Sequence, residues 1–176
     1  MAHITTLGAG IFSYLDIYSG SVAASVDTAS EFAGLFVTAN ASDVKRMPSV
    51  REFPSIGTPA NIVNVPVYGQ NTSSQVQGQA DAPSLEVTVN YIADDMTDFH
   101  ALIGTEVAFR FLMSSQSCDL SASLDSANTA LTYGNTEFYF RGKIEAILVN
   151  PALTDATTAT VTLSAQSDFF GPATLP

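Results

Sequence analysis

Cysteine is almost absent from this chain, and tryptophan is missing altogether. The single Cys118 among 176 residues excludes an intrachain disulfide and a cysteine-based zinc site. Such sparing use of cysteine is typical of chains that fold in a reducing cytoplasm. No cation or helix start flanks Cys118 in sequence, so it reads as an inert small residue in or beside a strand. Histidine occurs twice, as His3 and His100. His100 follows Asp94 and Asp98, but on a helix Asp98 and His100 point about 200° apart, which argues against a shared metal ion. There is no Gly-x-Ser-x-Gly elbow and no glycine loop of the phosphate-binding types. With no convergent nucleophile, base or metal set, catalysis is not expected, and neither a catalytic residue nor a cofactor is assigned.

Positive charge is equally scarce. Six Lys and Arg face 17 Asp and Glu, for a net charge of −11 at pH 7. That balance opposes wrapping a nucleic acid, where cations must replace the counterions around phosphate. It also disfavours an anionic membrane surface. No apolar run approaches the ~20 residues of a membrane span. Residues 1–12 show no basic segment followed by an apolar one, so no cleavable export signal is expected. Asn40-Ala41-Ser42 and Asn71-Thr72-Ser73 are accordingly chance matches to the glycosylation pattern. Charged residues make up only 13% of the chain, against about a quarter in an average protein. Ser, Thr, Asn, Gln and Ala must cover the surface instead, as is common where subunits meet.

What is present is β-structure. Leu85, Val87, Val89 and Tyr91 alternate with Glu86, Thr88 and Asn90. Val107, Phe109, Phe111 and Met113 alternate with Glu106, Ala108, Arg110 and Leu112. Phe138, Phe140, Ile144 and Ala146 oppose Tyr139, Arg141, Lys143 and Glu145, and Ala159, Val161, Leu163 and Ala165 oppose a run of Thr and Ser. Each stretch predicts a strand with one face in a core. Gly142 marks a bulge or a close backbone approach. Weaker strands are expected over 11–18, 34–38 and 61–68, the last at an edge or broken by Pro66. One helix is expected over about 94–103. Asp94, Asp95 and Asp98 favour its positive end, Met96, Phe99 and Ile103 form one apolar stripe, and Gly104 ends it. The expected architecture is a single domain over 1–176, two packed antiparallel sheets (sandwich or barrel-like) flanked by one helix, with arms at both ends.

The stretch from Phe53 to Pro83 stands apart. It holds four of the eight prolines and runs polar from Gly69 to Asp81. A structureless connection of that length is uncommon in a compact domain. It reads as a long hairpin-like excursion or as a surface loop. Gln75, Gln77, Gln79 and Asp81 would form one polar face, and Gln70 and Asn71 belong to the same polar run. Two further features allow two readings each. Lys45, Arg46 and Arg51, half of all the cations, form either a contact for an acidic surface of another copy or a solvated loop. Phe169 and Phe170 either insert into a neighbouring subunit or tuck onto their own domain.

The segments REFPSIGTPANIVNVPVYGQ, QVQGQADAPSLEVTVNYIADDMTDFHAL and FYFRGKIEAILVNPALTDATTATVTLSAQSDFFGP resemble the major tail tube proteins of long non-contractile-tailed, siphovirus-type bacteriophages. The resemblance runs from Arg51 to Pro172 with a gap near 114–135. It is carried most by the strand with Phe140 and Gly142, which leads through Asn150-Pro151 and Asp155 to a Thr-rich strand and a terminal Phe-Gly-Pro. It implies a β-fold subunit that forms hexameric rings stacking into a virion tail, assembled in the host bacterial cytoplasm. The implied partners are copies of itself, the tape measure, tail terminator and distal tail proteins, and double-stranded DNA that passes without specific binding. It also implies subunit contacts through Gln70, Asn71, Gln75, Gln77, Gln79 and Asp81, and assigns no residue to the lumen. Two alternatives remain at this stage. One is a minor virion ring or decoration protein, and the other is a carbohydrate-binding sandwich, for which the missing tryptophan is a poor start.

Overall fold

A computed structural model describes residues 12–57, 62–66, 68–69, 74–77, 84–124 and 135–173. Its strands are β1 (Ser13–Tyr18), β2 (Val44–Arg46), β3 (Val50–Glu52), β4 (Ile62–Val65), β5 (Ser74–Gln77), β6 (Ser84–Asn90), β7 (Glu106–Ser114), β8 (Asn135–Asn150), β9 (Thr158–Ala165) and β10 (Phe170–Ala173). Three short helices join them: α1 (Ala29–Ala33), α2 (Ala93–Ala101) and α3 (Leu120–Ser123). The mainly-β expectation is met.

The layering differs from two separate sheets. One antiparallel sheet runs β2-β1-β7-β8-β9-β6-β3, with β10 also pairing β8. It curls into a half-barrel around its apolar contents. The 16-residue β8 makes this possible. Its first half pairs β7 from Asn135 to Lys143, and its second half pairs β9 from Gly142 to Asn150. At about 3.3 Å per residue a strand of this length can serve both layers. The main core therefore combines Leu15, Ile17, Phe109 and Phe111 from one half with Val87, Val161 and Leu163 from the other, closed by Met96 and Phe99 of α2. Phe109 and Phe140 stack at 4.7 Å between centroids in its middle. Each such buried aromatic or aliphatic side chain contributes about 1.5–3 kcal/mol.

The alternation of β6 and β9 holds as read. Leu85, Val87, Val89, Ala159, Val161 and Leu163 are buried. That of β8 breaks at Glu145, where the pairing with β9 shifts between Ile144 and Ala146. The extra residue swings Ala146 out of the core phase, and Ile147 packs on the core in its place. Gly142 answers to the second of its two readings. A Cβ there would lie 2.2 Å from the Ser164 carbonyl oxygen, so the neighbouring backbone leaves no room for a side chain.

β7 and the first half of β8 depart most from the one-faced reading. Ala108, Arg110, Leu112 and Tyr139 are buried too. Their second face is covered by α1, by Phe36 and by α3, which form a second apolar cluster with Tyr18, Val44 and Tyr139. The strand expected over 34–38 is absent for the same reason. Thr28 caps α1, its hydroxyl accepting from the Glu31 N–H while the Glu31 carboxylate accepts from the Thr28 N–H. This reciprocal box starts a helical turn, and Gly34 follows as its C-cap. The Thr28 hydroxyl, together with nearby backbone N–H groups, holds the Glu31 carboxyl below its ordinary range. α2 falls within a residue or two of its expected span, and Gly104 takes the left-handed φ of 77° expected of a helix stop.

Candidate assembly surfaces

The excursion contains a real hairpin. β4 and β5 pair with each other, Val63 opposite Val76 and Asn64 opposite Gln75. They pair with no other described strand. Ile62, Val63 and Val65 are 56%, 48% and 42% exposed, and Tyr68 beyond Pro66 is fully exposed. Successive strand residues point to opposite faces, so both faces of β4 carry apolar side chains into solvent. A lone two-stranded hairpin is marginal in water, and clustered exposed apolar side chains mark contact surfaces. Gln75 and Gln77 lie on β5, in register with Asn64 and Ile62. Gln70, Asn71, Gln79 and Asp81 lie outside the described residues.

The basic trio is not a free positive spot. Lys45 pairs with Asp98 at the surface. Arg46 turns inward. Its Nε donates to Asp16 Oδ1 at 2.7 Å, its guanidinium also donates to the Cys118 carbonyl and the Ser123 hydroxyl, and it lies 4.1 Å over the Tyr14 ring. Of the trio, only Arg51 forms no ion pair among the described residues, and it is exposed.

Arg46 belongs to a buried polar cluster that the sequence reading did not anticipate. Arg46, Asp16 and Arg110 face one another across β2, β1 and β7 in direct register. Arg110 is fully buried and donates twice to Asp16 Oδ2, at 2.6 and 3.2 Å. It also donates to the Ser123 carbonyl at 3.0 Å and the Ser123 hydroxyl at 2.9 Å, which ties α3 to the sheet. Burial alone would lower the Arg110 pKa, but Asp16 and Glu137 outweigh it and hold the value above normal. Glu137 accepts a hydrogen bond from the Tyr139 hydroxyl, while its Oε1 lies 4.0 Å from Arg110. Burial raises the Glu137 carboxyl pKa against the pull of Arg110. Burial and the adjacent Glu137 raise that of Tyr139. The only sequence signal for this cluster is a single charge inside each of two apolar strands, Asp16 between Leu15 and Ile17, and Arg110 between Phe109 and Phe111. These groups bond chiefly to one another and pin the layers together, and Glu137 Oε1 is left without a hydrogen bond among the described residues.

The aromatic pair near the C-terminus takes the second of its two readings. Phe170 stacks on Phe32 at 5.3 Å, and Phe169 packs against Phe140 at 5.0 Å, both within the domain. A further exposed apolar feature was not anticipated. The end of β8 exposes Leu148 and Val149, and the turn after it carries the fully exposed Leu153, with Pro151 and Ala152 also exposed. Among the described residues, no three of His, Cys, Asp and Glu converge as metal ligands, and no helix is long and apolar enough to cross a membrane. No protein-family model matches the chain, and no curated protein is similar to it in sequence.

Proposed function

We propose that this chain is the structural subunit of a siphovirus-type phage tail tube, forming hexameric rings that stack into an acidic conduit for DNA. The observation that carries the reading is the β4–β5 hairpin. It stands off the main sheet in strand pairing and exposes Ile62, Val63 and Val65, a surface that gains by meeting another copy. The charge supports the same reading. Six copies at −11 each carry −66, and a wall of that sign repels phosphate and offers no counterion-release gain to bound DNA. Tape measure, terminator and distal tail proteins are the partners such a tube needs, with its place in the virion tail.

Negative-stain electron microscopy with sedimentation tests this. The purified protein should form rings or tubes, and Val63→Asp with Val65→Asp should leave a folded chain that stays monomeric. Wild-type protein that remains monomeric at every concentration and salt, with or without a preassembled tail tip as initiator, would sink the reading. Single closed rings that never extend would point to a terminator-like or decoration role.

A further inference from the structure

The buried cluster holds one donor and one acceptor that face each other without bonding. A guanidinium carries five N–H groups. Arg110 uses four of its own, two on Asp16 Oδ2, one on the Ser123 carbonyl and one on the Ser123 hydroxyl. The fifth sits on the same Nη1 that serves the Ser123 carbonyl, and Glu137 Oε1 stands 4.0 Å from that nitrogen. That oxygen is buried and accepts no hydrogen bond among the described residues, while Oε2 accepts from the Tyr139 hydroxyl. A charge-assisted bond of this kind is about 2.8 Å long, so closing the gap moves the guanidinium by about 1 Å, against its bonds to Ser123. Ser123 is the point at which α3 is held. Its hydroxyl donates to the Leu120 carbonyl at 2.7 Å and accepts from both Arg46 and Arg110.

We propose that Glu137 and Arg110 form a proton-operated latch on α3. With Glu137 protonated, Arg110 stays on Ser123. With Glu137 ionised, the guanidinium is drawn toward Oε1, its hold on Ser123 slackens, and residues 118–124 lift from the sheet more often. The latch is independent of assembly. Facing Glu137 are Arg110 from β7, Asp16 from β1 and the Tyr139 hydroxyl from β8 itself. Arg46 of β2 lies on the other side of Asp16. Glu31 of α1 and Asp119 before α3 are exposed, and β10 carries no titratable side chain. Burial outweighs Arg110 and holds the Glu137 carboxyl above its ordinary 4.5 while the segment is closed. Opening admits water and returns the group toward that value. The closed form therefore loses stability as pH rises from about 4.5 through the folded pKa.

Hydrogen–deuterium exchange of the full chain, read by mass spectrometry from about pH 4 to 9 and corrected for the intrinsic pH dependence of exchange, tests it. The opening constant of residues 118–124 should rise by up to about tenfold per pH unit above about 4.5 until the folded pKa is passed, while β6 and β9 stay protected. Glu137→Gln keeps the shape of the protonated acid and should abolish the rise. Tyr139→Phe removes a hydrogen bond that favours the ionised carboxylate, so it should carry the rise on to higher pH. Because Tyr139→Phe retains Glu137, it decides the matter if Glu137→Gln fails to fold. A flat profile in the wild type, an equal rise in Glu137→Gln, or an end point unmoved in Tyr139→Phe overturns the latch.

Discussion

Arg110→Met removes the charge at the centre of the buried cluster while keeping an unbranched side chain of similar length. The wild-type guanidinium makes two hydrogen bonds to Asp16 and two to Ser123. The substitution leaves Asp16 fully buried with Arg46 as its one remaining cation. It leaves Glu137 buried with Tyr139 alone, and it frees the α3 segment from β7. Breaking a buried pair by removing one partner costs about 3–5 kcal/mol, a large share of the roughly 5–15 kcal/mol that holds a domain folded. Retention of the Arg46 pair argues for the lower half of that range. Urea unfolding followed by circular dichroism is the assay. With a slope of about 2 kcal/mol per molar urea, the midpoint should fall by about 1.5–2 M. Arg141→Met is the comparison, since its partner Glu106 is 43% exposed, and it should cost about 1 kcal/mol or less. An Arg110→Met chain that loses no more than Arg141→Met would refute the claim that the cluster pins the second layer.

Glu137 supplies a pH test. Its folded pKa is raised above the ordinary 4.5, first by burial. Its contribution is therefore fully present below the unfolded value and is lost as pH rises from there through the folded one. Glu137→Gln should flatten the decline of melting temperature above about pH 4.5, and parallel curves for the two proteins would remove Glu137 as the cause. Gly142→Ala should cost about 1–3 kcal/mol by overpacking against the Ser164 carbonyl, read from the same urea curves. An unchanged midpoint would mean the backbone there yields freely.

The parts of this fold that were legible in the sequence are those where one layer meets solvent. β6 and β9 have their outer face open to water, so Thr and Ser mark it and Val and Leu mark the inside, with a period of two. Gly104 and the acid-rich start gave α2. β7 was misread because both of its faces are covered. Ala108 and Leu112 looked like spacers between phenylalanines, and Arg110 looked like solvent contact, until α1 and α3 closed over them. Those helices are five and four residues long, too short for a hydrophobic period, and only the Thr28–Glu31 box announced the first. β2 and β3 have three residues each and owe their form to their neighbours. The excursion was legible as a segment apart from its length and its prolines, but between a hairpin and a surface loop the sequence left the choice open, and the β4–β5 pairing decides it. The turn at Leu153 was not, because three apolar residues in a loop look the same whether a neighbour or the domain itself covers them.

The distribution of charge bears on how copies can meet. Lys45, Arg46, Arg110 and Arg141 are taken up by Asp98, Asp16, Glu137 and Glu106 within the chain. Of the six cations and 17 acids in the sequence, two cations, Arg51 and Lys143, and 13 acids lie outside the ion pairs formed among the described residues. The surface is thus nearly devoid of free positive charge with which to attract an acidic copy. Cohesion between copies by ion pairing is correspondingly weak, and repulsion grows as salt is removed. Attachment must then come from uncharged surface, which β4 and the end of β8 with the Pro151–Leu153 turn supply. Added salt should accordingly promote assembly by screening the remaining acids. Light scattering across about 0.05–1 M sodium chloride checks this, with the Debye length falling from roughly 14 to 3 Å over that range. Assembly that weakens steadily with salt would mean that complementary charges hold the copies together after all, with Arg51 and Lys143 the first residues to substitute.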